Sequence, residues 1–370
     1  MTKISCLITH SIGEIDILLP VIYKLKTKYN IKIKIIFTVK KIHEDYKENY
    51  FFQHALNSNS IDTFFIQSCN KFDYPINQRN FLSKIILKLR KVIFFFRILI
   101  KIFDSKFLLH EITNQIDSTF ILYLLKKFFK KNILVYNHAL GSMNKNTNVE
   151  KVNYYKNSFY LSFHNDENEY IKNKGFKGHF YIGNPKLDPL WIQYVKEYKI
   201  SDQSSFKKNI LVLMQNSSNF IDEEFYIDFC KQIIKLLNKY FPESIILLKN
   251  HPRQNNTILK KNINFNKKIQ LYENDIISAC SKSIFIVSLH TSAVIDAHIL
   301  GKKVIEICLP KHNWKVQNIE RPMYNQFTDV STNNLTDFEF NLRRIKAKSL
   351  DSQIKTNKIN LNLNFINEQF

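Results

Sequence analysis

Leu247-Leu248-Lys249-Asn250-His251-Pro252-Arg253, Ser288-Leu289-His290-Thr291-Ser292-Ala293 and Gly301-Lys302-Lys303-Val304-Ile305-Glu306 are three pieces of one stretch. The first two polar clusters each follow a short apolar, β-branched run. The second leads into a helix-like segment, Val294 to Leu300, which closes at Gly301 before another apolar run. Strand, polar turn, helix and strand in that order predict a parallel α/β sheet. Open parallel sheets bind ligands at the carboxyl ends of their strands, where such turns sit. A hydroxyl-rich turn at a helix start suits phosphate, because free backbone N–H groups and the helix dipole favour an anion there. Two such turns in one half of the chain point to a nucleotide-diphosphate site. The blander alternative is that Thr291 and Ser292 only cap a helix.

The same grammar extends outward in both directions. Lys3 to Thr9 predicts a strand, His10-Ser11-Ile12-Gly13 a turn, and Glu14 to Tyr29 a helix with Ile17, Leu18, Val21, Ile22 and Leu25 on one side. Pro20 inside that pattern predicts a bend or a later start. Ile31 to Val39, Thr63 to Ile66, Phe107 to Leu109, Asn132 to Tyr136, Phe159 to Phe163 and Phe180 to Ile182 read as further strands. Asn184-Pro185 breaks the chain, Asp188 to Tyr198 reads as a short helix, and Ser201 to Ser205 reads as the linker. Asn209 to Leu213 starts a second alternation, with a helix over Asp222 to Tyr240 and a strand over Ser244 to Leu248. The expectation is two Rossmann-like domains, 1–200 and 206–350, with a cleft between them and a loosely ordered tail over 351–370.

Length and composition agree. At 370 residues the chain exceeds one comfortable core, and 45% hydrophobic content excludes a disordered one. The 54 Lys and Arg against 32 Asp and Glu give a net charge of +22. That excess fits nucleic acid, an anionic membrane or phosphorylated substrates. No zinc-finger spacing or RNP-like aromatic motif is present, so no nucleic-acid partner is expected. Biased use of Lys, Asn and Ile is the bland source of the same charge. Cys6, Cys69, Cys230, Cys280 and Cys308 are far apart, with no C-x-x-C and no ligand set. Reduced core thiols in a cytoplasmic protein are the expectation. The apolar run Ile4 to Ile8 is too short for a signal peptide.

One segment stands apart. Phe81 to Asp104 contains Val92-Ile93-Phe94-Phe95-Phe96-Arg97-Ile98-Leu99-Ile100-Lys101-Ile102-Phe103. It is too charged and too short to span a bilayer, which takes about 20 apolar residues. On a helix, Arg90, Arg97 and Lys101 share one face and most of the rest is apolar. Such a helix suits an anionic membrane surface, which would make the protein peripheral on the inner face of the plasma membrane. It suits equally a helix packed on the sheet with its basic stripe in water.

The second-half motifs resemble GT-B transferases of bacterial surface polymers. The pattern is most similar to the CDP-glycerol glycerophosphotransferases and related capsule or lipopolysaccharide enzymes. The resemblance covers residues from about 135 to 310 and includes Tyr181-Ile182-Gly183-Asn184-Pro185-Lys186-Leu187-Asp188, which looks like the interdomain segment of such proteins. It implies that His251 approaches the donor phosphates, with Arg253 as a second contact able to hold a diphosphate in two places. It implies that Thr291 and Ser292 bind the phosphates, and the same cluster adds Ser288 and His290. Asn216, Ser217 and Ser218, after the first strand of the second domain, face the donor or cap a loop. The family's acceptor-side histidine corresponds to His138 in Tyr136-Asn137-His138-Ala139-Leu140-Gly141. Asn137 and Ala139 depart from the family's flanks, and Leu289-His290 stand where it commonly has an acid. A nucleotide-sugar donor is therefore as open as a glycerol-phosphate one.

The implied chemistry needs no metal or resident cofactor. Basic side chains and helix starts neutralise the leaving nucleotide phosphate of a CDP-, UDP- or CMP-linked donor. The glycan or lipid-linked acceptor needs a base, and histidine titrates near neutrality. His138 is the first candidate and His10, at the end of the first strand, the second. A hydrolysing UDP-N-acetylglucosamine 2-epimerase shares the architecture. Its glutamate-containing turn is absent from His138-Ala139-Leu140-Gly141, and its Asp-Ser-Gly-Gly turn is replaced by His290-Thr291-Ser292-Ala293. A non-catalytic membrane-associated scaffold is the third reading.

Overall fold

The computed structural model describes residues 3–9, 11–67, 81–111, 132–136, 158–163, 176–198, 208–215, 223–252, 256–289, 291–308, 324–347, 361 and 363. They form two compact units, Met1–Trp191 with Ile359–Phe370, and Ile192–Lys358.

The first unit is built on β1 (Lys3–Ile8), β2 (Lys32–Phe37), β3 (Asp62–Phe65), β4 (Phe107–Glu111), β5 (Asn132–Tyr136), β6 (Phe159–Ser162) and β7 (Gly178–Tyr181). All pairings are parallel, in the order β3-β2-β1-β4-β5-β6-β7. The central strands are apolar and buried along nearly their whole length, as a sheet covered on both faces requires. The order reverses between β1 and β4, which creates a switch point at their carboxyl ends.

Helix α1 (Ile12–Tyr29) follows β1. It runs unbroken from Ile12, with the buried Pro20 in its interior, so Pro20 does not delay its start. It ends at Asn30, whose left-handed backbone (φ 49°) lets its N–H reach the Leu25 and Lys26 carbonyls. Helices α2 (Lys40–Glu48) and α3 (Tyr50–Ser58) lie between β2 and β3. Helix α4 (Phe81–Ile102) turns Phe94, Ile98, Leu99 and Ile102 onto Leu7, Ile36, Leu108, Ile133, Val135 and Tyr160 of the sheet. The packed-helix reading of this segment therefore holds for one face.

Helix α5 (Pro189–Glu197) carries the chain out of the first unit. The units part at Trp191 and Ile192, earlier than the linker expected at 201–205. The tail expected to be loose over 351–370 is anchored at two points, because Leu361 and Leu363 are buried. The Leu361 N–H donates to Asp188 (3.1 Å) and its carbonyl accepts from Lys24 Nζ (2.9 Å). Lys24 and Asp188 form a buried ion pair at 2.7 Å. A buried pair is tolerable when backbone groups complete its hydrogen bonds, and the tail supplies them.

The second unit contains β8 (Asn209–Leu213), β9 (Ile245–Lys249), β10 (Ile269–Leu271), β11 (Ser283–Ser288), β12 (Lys303–Ile307) and β13 (Val330–Thr332). They are again all parallel, ordered β10-β9-β8-β11-β12-β13. The intervening helices are α6 (Glu223–Tyr240), α7 (Asn256–Asn262), α8 (Ile276–Ser281), α9 (Val294–Ile299) and α10 (Leu335–Lys346). Tyr226, Cys230, Ile233 and Leu237 recur every three or four residues along α6 and pack with Phe338 and Leu342 of α10 over Val212, Phe285, Val287 and Ile305. The switch point of this sheet lies between β8 and β11.

Candidate functional site

The strand register aligns the carboxyl ends that matter. Leu213 of β8 stands opposite Lys249 of β9 on one side and Ser288 of β11 on the other. The ladder continues one step further, with Met214 N–H donating to the Lys249 carbonyl and Leu289 N–H to the Leu213 carbonyl, both at 2.9 Å. The turns after β8, β9 and β11 thus leave the sheet side by side at its switch point.

The β9 turn is held from within. The Asn250 side chain accepts the His251 N–H (3.1 Å) and donates to Asn256 (2.8 Å), tying the His-Pro turn to the start of α7. His251 is partly exposed. Lys249 donates its ammonium to the Asn274 carbonyl. Burial pulls the Lys249 pKa below the ordinary lysine range, and the Asp275 carboxylate opposes that. Asp275 itself caps α8, taking the Ser278 N–H and hydroxyl at 2.7 Å each.

The β11 turn presents its hydroxyls differently from a simple cap. The cap position of α9 is Ala293, whose methyl group can accept no hydrogen bond. The Thr291 hydroxyl takes the Ala293 N–H at a long 3.4 Å, and Ser292 is exposed. Ser288 is fully buried, and its hydroxyl has no hydrogen-bond partner among the described residues. The β8 turn begins at Gln215, whose N–H is fixed by the buried Tyr226 hydroxyl at 2.8 Å. Arg253, His290, Asn216, Ser217 and Ser218 lie outside the described residues, as do His10 and His138. Of the residues singled out in the sequence, His251, Ser288, Thr291 and Ser292 are brought to one sheet edge.

Several polar residues at these ends escaped the sequence reading. Glu306 is fully buried on β12 directly opposite Ser288, and it accepts from the Ser331 hydroxyl at 3.0 Å. A lone carboxylate inside Val304-Ile305-Glu306-Ile307 was its signal. In the first unit, Glu14 is buried in the first turn of α1 and accepts the N–H groups of Thr9 (3.1 Å) and Ser11 (2.8 Å). It ties the end of β1 at Thr9 to the start of α1 at Ser11. His110 and Glu111 end β4 and are buried, with Glu111 opposite Tyr136 of β5. Burial lowers the His110 pKa to about 3, so this imidazole is neutral and no proton acceptor near neutrality. Burial raises Tyr136 well above the usual phenol range, and the negative charge of Glu14 adds to that.

The described thiols are reactive in neither unit. Cys6, Cys230 and Cys280 are buried and Cys308 partly so, and all four are free. Burial pushes Cys6, Cys230 and Cys308 up to about 12 and raises Cys280 further, keeping them protonated. Among the described residues no group of three or more His, Cys, Asp or Glu side chains could hold a metal ion. A hollow of about 890 Å³ lined by Lys260, Ile263, Phe265, Ile269 and Leu271 includes neither Asn250–Pro252 nor Thr291–Ser292.

Two all-parallel sheets, each with its own switch point, have counterparts among solved structures. The chain is similar to a UDP-N-acetylglucosamine 2-epimerase at 14% identity and TM-score 0.60, over 97% of this chain and 92% of that one. It is similar to Anabaena HepE, solved with UDP and glucose, at 11% identity and TM-score 0.56, over 100% and 98%. It is similar to the E. coli heptosyltransferase WaaC, solved with ADP, at 10% identity and TM-score 0.51, over 94% and 100%. The fold is GT-B. At these identities the likeness is one of GT-B architecture. No protein-family model matches the chain, and no curated protein matches it.

Proposed function

We propose that this chain transfers a sugar or polyol-phosphate from a nucleotide-activated donor to a surface-glycan or lipid-linked acceptor, as in capsule or lipopolysaccharide synthesis. The observation that carries the reading is the alignment of the β8, β9 and β11 ends, which brings His251, Ser288, Thr291 and Ser292 to one switch point. Imidazole, hydroxyls and N–H groups there suit a diphosphate, and in the sequence Arg253 comes directly after Pro252 and His290 directly before Thr291. These groups would neutralise the leaving nucleotide without a metal. Asn216 and Ser217, beyond the pinned Gln215, would complete the donor contacts. GT-B neighbours solved with UDP and with ADP support a nucleotide donor.

On the other unit, β1 and β5 flank β4, so Thr9 and Tyr136 end at the same edge. His10 follows Thr9 directly and His138 follows Tyr136 by two residues. We assign the acceptor's general base to His138, with His10 next. The neutral His110 leaves that role to them.

The epimerase likeness favours a second reading, cleavage of a UDP-sugar without transfer. A thermal-shift screen of the CDP, UDP and CMP series tests the common part, because a ligand that binds only the folded state raises its melting point. One series should raise it; no shift with any nucleotide would sink both enzyme readings and leave a non-catalytic scaffold. Nucleotide release that depends on added glycan separates transfer from epimerisation. Activity abolished by EDTA and restored by magnesium or manganese would overturn the metal-free mechanism.

A further inference from the structure

Helix α4 buries one face and leaves the opposite face apolar. At about 100° per residue, the exposed Leu89, Val92, Ile93, Phe96 and Ile100 fall on one arc, with Phe103 just beyond the helix in line. That arc lies opposite Phe94, Ile98 and Ile102, which enter the core. Ile100 is 71% exposed and Phe103 67%. Single exposed apolar residues need no explanation, but a contiguous stripe of this size marks an interaction surface. The chain elsewhere covers a helix in the ordinary way: α6 shows solvent Glu223, Glu224, Asp228, Lys231, Gln232 and Lys235.

Charge identifies what the stripe meets. Helix α4 carries six Lys and Arg residues and no Asp or Glu. Exposed Arg97 borders the stripe on one side and exposed Lys88 on the other. Asp104, the acid just past its end, is neutralised by Lys3 and Lys34 at 2.8 Å each. Long basic side chains flanking an apolar strip can lay their stems along it and lift their charges to the phosphate level of a bilayer. A second copy related by two-fold symmetry would instead bring the same cations against one another. No described helix is long and apolar enough to cross a membrane.

We propose that the outward face of α4 docks this protein on an anionic lipid bilayer, with Leu89, Ile93, Phe96 and Ile100 in the acyl boundary and Lys88 and Arg97 on lipid phosphates. The contact needs neither donor nor acceptor, so it stands or falls independently of the transferase reading. The test is co-sedimentation of the full chain with vesicles of equal parts phosphatidylglycerol and phosphatidylcholine, and with phosphatidylcholine alone. Binding to the anionic vesicles should be at least about tenfold tighter, since Lys88 and Arg97 are attracted only by a surface that carries net negative charge. Phe96→Asp with Ile100→Asp should lose at least about tenfold of it while the melting temperature stays put, because both side chains are exposed. As a gentler variant, Phe96→Trp should blue-shift on the anionic vesicles and be quenched by brominated lipid. Equal, weak binding to both vesicles, unchanged binding of the double variant, or a solution dimer that the double variant dissociates would each overturn the proposal.

Discussion

The two sheets share a topology and differ in what their switch points hold. The carboxyl edge of the first is lined from inside by Glu14, His110, Glu111 and Tyr136, all buried. The edge of the second shows His251, Thr291 and Ser292 at least partly to solvent, over the buried Ser288. Glu14 binds the backbone N–H groups of the β1 turn, so those donors are unavailable to an anionic ligand. At the β11 turn no carboxylate caps α9, and a hydroxyl weakly takes one N–H. The first six strands of one sheet and the six of the other follow the same order, yet their described ends carry different groups, with Glu306 the buried carboxylate beside Ser288 on the second. The described end of the first buries its carboxylates against backbone and sheet, whereas the described end of the second leaves His251, Thr291 and Ser292 at least partly exposed.

The sharpest way to break this contrast is at the edge proposed for the acceptor. His138→Ala should lower turnover by about 10²–10⁴-fold, the usual loss of a general base, and leave donor affinity nearly unchanged. Steady-state kinetics beside titration calorimetry reads both. Near-normal turnover would pass the role to His10, and a matching loss of donor affinity would erase the division of labour.

At the edge proposed for the donor, Arg253→Ala should weaken nucleotide binding by about 1.5–3 kcal/mol, the range of a charged hydrogen bond. Unchanged calorimetric affinity would remove the β9 turn from the site. Turnover at saturating donor should suffer less than in the His138 variant.

The closed character of the first edge has a pH signature. Burial holds the His110 pKa near 3 in the folded chain, against 6.5 for a free imidazole. Between those values the unfolded chain binds a proton that the folded one does not, so stability rises with pH. The contribution is complete above about pH 6.5 and is lost as pH falls toward 3, at up to about 1.4 kcal/mol per pH unit. His110→Gln should flatten the melting temperature across that window. An unchanged slope would mean that His110 is not desolvated.

The smallest expected effect is Ser292→Ala, about 0.5–1.5 kcal/mol in donor affinity for a neutral hydrogen bond. Since Ala293, not Ser292, caps α9, the melting temperature should not move. A loss of stability without a loss of affinity would return Ser292 to a structural role.

Much of the fold was legible because apolar β-branched runs end in polar turns. Asn132 to Tyr136 and Asn209 to Leu213 are strands with the bounds read from sequence, and α6 ends at Tyr240 as expected. The short β10 and β13 escaped, since three residues carry no period. Part of the candidate site was legible for the same reason. His251, Thr291 and Ser292 sit in turns that a polar cluster after a strand announces. Glu14, Glu111 and Glu306 were missed because a carboxylate in an apolar element reads as an exception until its partners are known.

The sequence alone determined the alternation of strand and helix, the parallel sheets that follow from it, and the basic, hydroxyl-bearing turns of the second half. These are local properties, set by side-chain periodicity and turn chemistry over a few residues. Tertiary structure alone decided three other things. It aligned the ends of β8, β9 and β11 through their register. It tied Leu361 to Lys24 and Asp188 across most of the chain. It also gave α4 a core face and an exposed apolar one, which the helix's own residues left open. Each of these depends on which distant groups share a neighbourhood, and no spacing along the chain records that.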